Sequence, residues 1–249
     1  MLLSGLILLT TACGTKKESF RYTYLDVFDT VTTITVYAGS RGEADELAEL
    51  LHAELLICHR LFDIYHEYDG LNNLCTVNRL AGNEPVAVDE RILDLLEFAL
   101  EMGEASGGKL NVCAGSQLSL WHEARSEGGK HPEEAALPDA DSLEKARAHM
   151  DSSALHLDRS SSSVRFSDPE MKLDVGAVGK GWAVQRACDT AAASGYSGFL
   201  ISAGGNVCAV GLKGDGSLWR VGLEDPRGSG EELMLLRLTD CAAVTSGSY

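Results

Sequence analysis

The chain has 249 residues, with 21 Lys and Arg against 37 Asp and Glu, so its formal net charge is −16. Hydrophobic residues make up 45% of the chain and charged residues 23%, which is the composition of a globular protein and excludes a disordered one. A net charge of −16 repels the phosphate backbone over most of the surface, which excludes nucleic acid as a partner.

The chain begins with an apolar run over residues 2–9, followed by Thr-Thr-Ala-Cys-Gly. This run is too short to span a bilayer and is typical of a signal-peptide core that ends in small residues. Cys13 before a glycine is similar to a bacterial lipoprotein processing site, where the cysteine becomes lipidated. We therefore predict a lipoprotein signal segment and tether at residues 1–19, with Cys13 anchored in the bacterial cell envelope on the outer, periplasmic face of the cytoplasmic membrane. A buried N-terminal strand is the alternative, and the polar residues 15–19 argue against it.

Hydrophobic spacing predicts the secondary structure in chain order. β-Branched and aromatic residues predict a strand at 31–38. Apolar residues recur every three or four positions over 43–62, and again after Asp89 as far as Ala105, which predicts two helices. Asp89 can cap the second helix, and the glycines that follow predict a turn-to-strand element at 107–112.

The second half of the chain predicts further strands and a helix. Residues 123–141 are polar and contain two prolines, which predicts a surface excursion before a helix that ends near Met150. Residues 171–175 predict a buried strand, and residues 180–194 a helix. The other predicted strands are 156–158, 163–166, 199–202, 207–210, 218–223 and 233–238. Because strands and helices do not alternate strictly, we predict an α+β fold with mixed, largely antiparallel sheets and flanking helices.

The segment most suggestive of a ligand-binding site runs from Leu173 to Ala183 and contains three glycines. The predicted strand delivers Asp174 into it, and the predicted helix begins near Lys180. Glycine loops and helix N-termini favour anions, and Lys180 adds positive charge for a phosphate. The spacing matches neither the P-loop nor the Rossmann fingerprint. On the glycines alone, a structural turn is as good an interpretation as a ligand loop.

Two further segments are ambiguous on their own. Residues 202–206, Ser-Ala-Gly-Gly-Asn, follow a predicted strand and fit a tight turn or a bulge as well as a ligand site. The aromatic residues of 62–70 could stack on a flat ring. Without further context, packing at the end of a helix is the better interpretation of that loop.

Missing motifs exclude other enzyme classes. The chain has neither G-x-S-x-G nor H-E-x-x-H, so a serine nucleophile and a zinc protease are excluded. Its seven Cys include no C-x-x-C pair and no His at zinc spacing, and we expect Cys58, Cys188 and Cys208 to be small buried hydrophobes. The His residues are dispersed, and we expect His59 and His122 on solvated helix faces or loops.

Taken in order, these segments resemble one known family. The features that carry the resemblance are Phe28-Asp29-Thr30, Tyr65 with Asn78, residues 107–111 with Leu120-Trp121, and residues 174–183, 202–206 and 245–249. From about Tyr24 to its last residue, the chain is similar to FAD:protein FMN transferases of the ApbE type. The spacing Asp-x-Gly-x-x-x-Lys-Gly, followed by Ala-Gly-Gly-Asn, makes the resemblance specific, whereas single motifs would not.

The resemblance implies a set of site residues. The FAD-binding residues that it implies are Phe28, Tyr65, Lys109, Leu110, Asn111, Asp174 and Lys180. Phe28 stands where the family usually has Met, and Asn111 stands where a short FAD-binding stretch usually ends in Asp. Ala177 matches a position that offers its backbone carbonyl oxygen to a metal ion.

The resemblance also implies an activity. The implied reaction transfers FMN from FAD to a Ser or Thr hydroxyl of an acceptor flavoprotein, releases AMP and depends on Mg²⁺. The implied acceptor is a subunit of a membrane redox complex. The family has further metal ligands and a His-x-x-Asp-Pro-x-x-Gly segment at positions beyond Tyr249. We therefore expect residues 20–249 to be a flavin transferase domain that is incomplete at its C-terminus. Two alternatives remain open: a Mg²⁺-dependent FAD pyrophosphatase that yields FMN and AMP, and a non-catalytic FAD-binding lipoprotein.

Overall fold

The structure, a computed structural model, describes residues 17–225, 227 and 232–246. Cys13 and the predicted signal segment lie outside the described residues, apart from residues 17–19, and so does the end of the last motif at 247–249. No helix within the described ranges combines the length and the apolar character that are needed to cross a membrane.

The described residues form ten strands and six α-helices. The strands are β1 (Glu18–Val27), β2 (Thr30–Ala38), β3 (Val86–Ala87), β4 (Leu155–Asp158), β5 (Ser163–Phe166), β6 (Phe199–Ala203), β7 (Asn206–Val210), β8 (Trp219–Glu224), β9 (Glu232–Leu238) and β10 (Cys241–Val244). The helices are α1 (Arg41–Phe62), α2 (Leu74–Leu80), α3 (Glu90–Ala105), α4 (Gly115–Lys130), α5 (Ala140–Arg147) and α6 (Gly179–Ala193).

The main sheet has five strands in the order β1-β2-β6-β7-β10, and every neighbouring pair is antiparallel. Two smaller antiparallel sheets have the orders β3-β5-β4 and β8-β9. On one side of the main sheet, α1 packs against β1 and β2, α6 packs against β6 and β7, and the two helices pack against each other. The predicted α+β class is confirmed.

Helices α1 and α3 form where their sequence patterns predict them. The apolar residues of α1 at positions 47, 51, 55, 58 and 62 are all buried, because spacings of three and four residues place them on one face. The Ser40 hydroxyl accepts a hydrogen bond from the Glu43 N–H at the start of α1. The Asp89 carboxylate accepts from the Arg91 N–H at the start of α3, as its predicted cap role requires.

Three predicted boundaries differ from the structure. Strand β1 begins at Glu18, so the last two residues of the predicted tether lie in a strand paired with β2. The predicted surface excursion at 123–141 is wrong in its first half, because α4 continues to Lys130. Residues 107–112 make the predicted turn, but no strand follows it, since helix α4 begins at Gly115.

Residues 171–175 are buried as predicted but do not form a strand. Met171, Leu173 and Val175 are at most 4% exposed, and the segment makes only an isolated bridge to Ala114. Its backbone is held instead by the side chain of Asn78, whose Oδ1 accepts from the Leu173 N–H at 2.7 Å and whose Nδ2 donates to the Leu173 carbonyl at 2.9 Å. The amide side chain of Asn78, with backbone hydrogen bonds from Asp174 to Val112 and from Gly115 to Lys172, therefore replaces the neighbouring strand that the sequence pattern implied.

Two tight turns and the end of β10 meet at one end of the main sheet. The β1–β2 turn has left-handed backbone at Phe28 and Asp29, with φ of 55° and 50°. The β6–β7 turn consists of two glycines, of which Gly204 donates its N–H to the carbonyl of Val31. The Thr245 N–H, just after β10, donates to the carbonyl of Gly205. Because β2, β6, β7 and β10 all start or end here, this end of the sheet brings together segments that are distant in sequence.

Gly204 allows the two turns to approach, and a side chain there is expected to separate them. Its φ is +52°, and an added Cβ would lie 3.0 Å from both Cβ and Cγ2 of Thr30. Gly204→Ala should therefore lower the free energy of unfolding by about 2–4 kcal/mol, from the left-handed backbone and the overlap together. Chemical denaturation of four chains tests this: the parent, Gly204→Ala, Thr30→Ala and the double variant. We expect Thr30→Ala to recover at least ~1 kcal/mol of the loss in the double-mutant cycle; strictly additive effects would contradict the contact.

Candidate functional site

A cavity of about 200 Å³ opens beside the end of the sheet at which the turns meet. It is lined by three segments: the β1–β2 turn, the end of α1 with the loop after it, and the loop that leads into α6. The residues are Phe28, Asp29, His59, Phe62, Asp63, Ile64, Tyr65, Asp174, Val175, Gly176, Gly179 and Lys180. A second cavity of about 350 Å³ shares Ile64, Tyr65 and Asp174 with the first, so the two form one cleft.

The loop at 174–178 leads into the N-terminus of α6, and its residues Asp174, Val175 and Gly176 line the cleft. The Asp174 N–H donates to the carbonyl of Val112, which fixes the start of the loop. The Asp174 carboxylate then accepts from the Gly176 N–H at 2.8 Å. Val178 precedes α6 and supplies no side-chain cap. The uncapped first turn of a helix presents partial positive charge, which favours an anion.

Lys180 is the cationic residue of the first cavity. It is partly buried, in the first turn of α6. Within the described part of the chain it makes no ion pair and no side-chain hydrogen bond. A positive charge beside an uncapped helix N-terminus is well suited to a phosphate or diphosphate.

Aromatic rings form the other side of the cleft. The ring of Tyr65 is 54% exposed and stacks on the imidazole of His122, with centroids 4.6 Å apart and an interplanar angle of 27°. Burial raises the pKa of the Tyr65 hydroxyl, and the nearby carboxylate of Asp174 raises it further, so the hydroxyl stays protonated at neutral pH. Phe28 and Phe62 line the first cavity. These rings provide flat, largely apolar surfaces next to residues 174–181, the segment that carries Lys180 and that we call the cationic loop.

His59 holds the turn that carries Phe28. The Phe28 N–H donates to Nδ1 of His59 at 3.1 Å, and the two rings meet edge to face. Both His59 and His122 lie on helices and are half-buried, and each has a role that the prediction of solvated helix faces or loops did not include: His59 lines the first cavity, and His122 stacks on Tyr65. Their spacing in the sequence carried no sign of this, since each acts through a contact with a distant segment.

Asp63 fixes the loop that carries Tyr65. Its carboxylate accepts from the backbone N–H groups of Tyr65 at 2.7 Å and His66 at 3.0 Å, and from the Tyr68 hydroxyl at 2.9 Å. Burial alone would raise the pKa of Asp63, but these hydrogen bonds outweigh it and lower the pKa below the usual 3.8. The same carboxylate and burial raise the pKa of Tyr68 to about 12.

Asp63→Asn is expected to reduce stability in a pH-dependent way. Because the folded state lowers the pKa of Asp63, the carboxylate stabilises the fold above its unfolded pKa of 3.8, and this contribution disappears as the pH falls through the lower folded value. At pH 7 we expect the variant to lose about 1–3 kcal/mol of unfolding free energy. Urea denaturation between pH 3 and 7 measures this. The difference from the parent should shrink towards pH 3; a constant difference across the range would contradict the assigned role.

The structure brings together four of the predicted site residues and separates three others. Phe28, Tyr65, Asp174 and Lys180 all line the first cavity. Leu110 and Asn111 line a separate cavity of about 430 Å³, and Lys109 is exposed beside them.

The side chain of Asn111 is engaged within the fold. It accepts from the Cys113 N–H and donates to the carbonyl of Met150. The segment reaches the cleft only through Val112, whose carbonyl accepts from Asp174. A role for residues 109–111 in binding stays a prediction, and so does the predicted carbonyl ligand Ala177, which lies exposed in the turn before α6.

Comparison with known proteins points to one family. Residues 28–249 match the sequence profile of the ApbE family. The FAD:protein FMN transferase of Treponema pallidum is 31% identical over 96% of this chain and 67% of its own length. One from Klebsiella pneumoniae is 24% identical over 100% of this chain and 69% of its own length. This chain thus spans about two thirds of the length of these relatives.

Solved structures show the same fold. The flavin transferase ApbE from Vibrio cholerae superposes with a TM-score of 0.76 at 22% identity, over 93% of this chain and 72% of that one. The ApbE protein of Thermotoga maritima superposes with a TM-score of 0.75 at 24% identity, over 90% of this chain and 69% of that one. With the match over residues 28–249, these findings establish that the chain belongs to the ApbE family.

Proposed function

We propose that this chain is an FAD:protein FMN transferase that moves FMN from FAD to a Ser or Thr hydroxyl of an acceptor flavoprotein and releases AMP. Its family and the activity named for its relatives support a transferase. The observation that carries the proposal is the cleft itself, which is lined by aromatic rings, by the uncapped start of α6 and by Lys180, a cation with no partner among the described residues. This combination matches a ligand with a diphosphate and flat rings.

In the proposed complex, the diphosphate of FAD lies at the start of α6. The backbone N–H groups of Gly176, Val178 and Gly179 already donate within the loop. The N–H groups of Lys180 and Gly181 and the ammonium of Lys180 therefore bind its oxygens, although the whole chain carries a charge of −16. The rings lie along the surface formed by Tyr65, Phe28 and Phe62. Because this surface is held by the hydrogen bonds of Asp63 and His59, the substrate enters a cleft that is already formed.

The proposed reaction forms a bond between the acceptor hydroxyl oxygen and the phosphorus of the FMN half. The bond from that phosphorus to the bridging oxygen breaks, AMP leaves, and the hydroxyl proton is released. The residues described here contribute by holding and orienting the phosphates, and Lys180 stabilises negative charge as it develops on the leaving oxygen.

We also propose that the activity depends on Mg²⁺. The described residues contain no group of three or more His, Cys, Asp or Glu side chains placed to hold a metal ion. Mg²⁺ takes one or two protein oxygens and fills its other positions with water and substrate phosphate, and the family resemblance is what implies this ion here. Ala177, which is exposed, can offer its carbonyl oxygen and Asp174 its carboxylate. When bound there, the ion would neutralise charge on the diphosphate.

The proposed acceptor is a flavoprotein subunit of a membrane redox complex, and the proposed location is the outer face of the cytoplasmic membrane, through a lipid on Cys13. The sequence pattern at residues 2–13 supports this location. Expression in a bacterial host with a radiolabelled fatty acid tests it. We expect label on the parent chain and none on Cys13→Ser, whereas an unlabelled parent chain would contradict the anchor.

The activity is tested by incubating the chain with FAD, Mg²⁺ and an acceptor domain that carries the modified Ser or Thr. Mass spectrometry should show the acceptor heavier by one FMN, with AMP formed in equal amount and no adduct on an acceptor with Ala at that position. An arm without acceptor separates the alternatives. FMN and AMP formed there at the same rate would indicate a pyrophosphatase, and tight FAD binding without turnover in either arm would indicate a carrier.

A further inference from the structure

Two cysteines that are distant in sequence meet inside the protein. Cys188 on α6 and Cys208 on β7 place their sulfur atoms 3.3 Å apart, and they are 2% and 5% exposed. Among the described cysteines, this is the one pair whose sulfurs are within hydrogen-bonding distance of each other. The sequence predicted both as buried hydrophobes, and their burial is confirmed, but their contact depends on how α6 packs on the sheet.

We propose that Cys188 and Cys208 form a disulfide bond that joins α6 to β7. In a disulfide the sulfurs are about 2.05 Å apart, so closure requires a shift of little more than 1 Å. Both cysteines lie in elements packed on each other, so the backbone already holds them together. No other thiol competes at this site within the described residues.

The bond forms by exchange with a disulfide donor, such as oxidised glutathione or a thiol oxidoreductase. One thiolate attacks the donor to give a mixed disulfide, and the second thiolate displaces the donor thiol. The two cysteines lose two electrons and two protons in total, and the donor is reduced to thiols. Because both sulfurs are buried in the folded chain and the contact with Cys208 and burial raise the pKa of Cys188, exchange takes place before α6 packs against the sheet.

This bond would join two elements whose first residues lie close to each other. Helix α6 starts at the cationic loop, and β7 starts at Asn206, directly after the β6–β7 turn. The two starts are already in contact, since a Cβ added to Gly181 would lie 3.2 Å from the amide nitrogen of Asn206. The inference does not depend on the proposed transferase activity.

The test is oxidative refolding of the full chain. The reduced, unfolded protein is refolded in mixtures of reduced and oxidised glutathione, quenched with acid, alkylated in denaturant and mapped by mass spectrometry. We expect one dominant protein disulfide, between Cys188 and Cys208, and a Tm of the oxidised chain about 6–10 °C above that of the reduced chain, from closure of a loop of roughly 20 residues. Cys58→Ala removes a buried thiol elsewhere and should leave this disulfide unchanged, whereas Cys188→Ala should abolish it.

Recovery of folded protein with all its thiols free at every glutathione ratio would overturn the proposal. Pairing of Cys188 or Cys208 mainly with other cysteines would overturn it as well. Where refolding yields are low, the same mapping is done on the chain secreted into a bacterial periplasm. A Cys188–Cys208 disulfide in that material supports the proposal, and free thiols at both positions contradict it.

Discussion

Replacing Lys180 with alanine is expected to weaken FAD binding about 10- to 100-fold, since a charge-assisted contact with a phosphate contributes about 1.5–3 kcal/mol. Lys180 is the cation of the first cavity and has no partner among the described residues, so its removal takes away positive charge without leaving a protein group unpaired. The fold should therefore be almost unaffected, with a Tm within about 2 °C of the parent. Isothermal titration with FAD and thermal unfolding measure the two effects.

Two control variants separate local from general effects. Lys145 is exposed on α5, outside the cleft, so Lys145→Ala makes the same change in net charge and should leave FAD affinity unchanged. Lys180→Arg keeps the charge and should retain more affinity than alanine. An unchanged affinity in Lys180→Ala with normal melting, or an equal loss in Lys145→Ala, would contradict the assignment of Lys180.

Asn78→Ala should have the largest effect on stability, a loss of about 3–4 kcal/mol of unfolding free energy. The variant leaves both the N–H and the carbonyl of Leu173 without the partner they have now, in a segment where Leu173 is fully buried. Because Asp174 follows directly, FAD affinity should fall with stability. Urea denaturation and FAD titration on the same samples measure both.

Two further variants test this role of Asn78. Asn78→Asp keeps an acceptor for the Leu173 N–H and loses the donor to its carbonyl, so its stability should be intermediate. Asn72 is exposed and makes one hydrogen bond to a carbonyl, so Asn72→Ala should lose less than about 1 kcal/mol. Equal losses at the two asparagines would show that Asn78 does not hold the 171–175 segment.

The parts of the fold that the sequence predicted are those set by local patterns. Helices α1 and α3 have apolar residues at helical spacing, and α3 starts directly after its predicted cap, Asp89; both lie where those signals place them. Strands β6, β7 and β8 are separated by glycines that adopt positive φ, as at Gly204 and Gly211, and were predicted for that reason. Such signals are complete within a few residues, so no tertiary information is needed to interpret them.

The parts that were missed depend on contacts between distant segments. Alternating burial over 171–175 is the same for a strand and for a single extended segment, and only the hydrogen bonds of Asn78 distinguish the two. His59 joins the site because the β1–β2 turn folds over it, and Cys188 meets Cys208 because α6 packs on β7. No pattern around any of these residues identifies its partner.

The candidate site was predicted in part, through its motif rather than its shape. The glycines around Lys180 did not distinguish a turn from a ligand loop. The order of several motifs along the chain indicated a family resemblance, and this resemblance favoured the ligand loop. The structure then placed Asp174 and Lys180 next to Tyr65, a residue more than 100 positions away, in one cleft. Asp63, which fixes the Tyr65 loop, was not identified as important, because two of its four hydrogen-bonding partners are backbone N–H groups, which every residue except proline provides.

The most direct measurement is a crystal structure of the chain grown with FAD. We expect the two phosphates of FAD at the start of α6, with their oxygens within hydrogen-bonding distance of Lys180 Nζ and of the loop N–H groups. We also expect one of the FAD rings to lie against Tyr65. Density for FAD elsewhere on the molecule, or a loop closed against its neighbours with no space for a nucleotide, would contradict it.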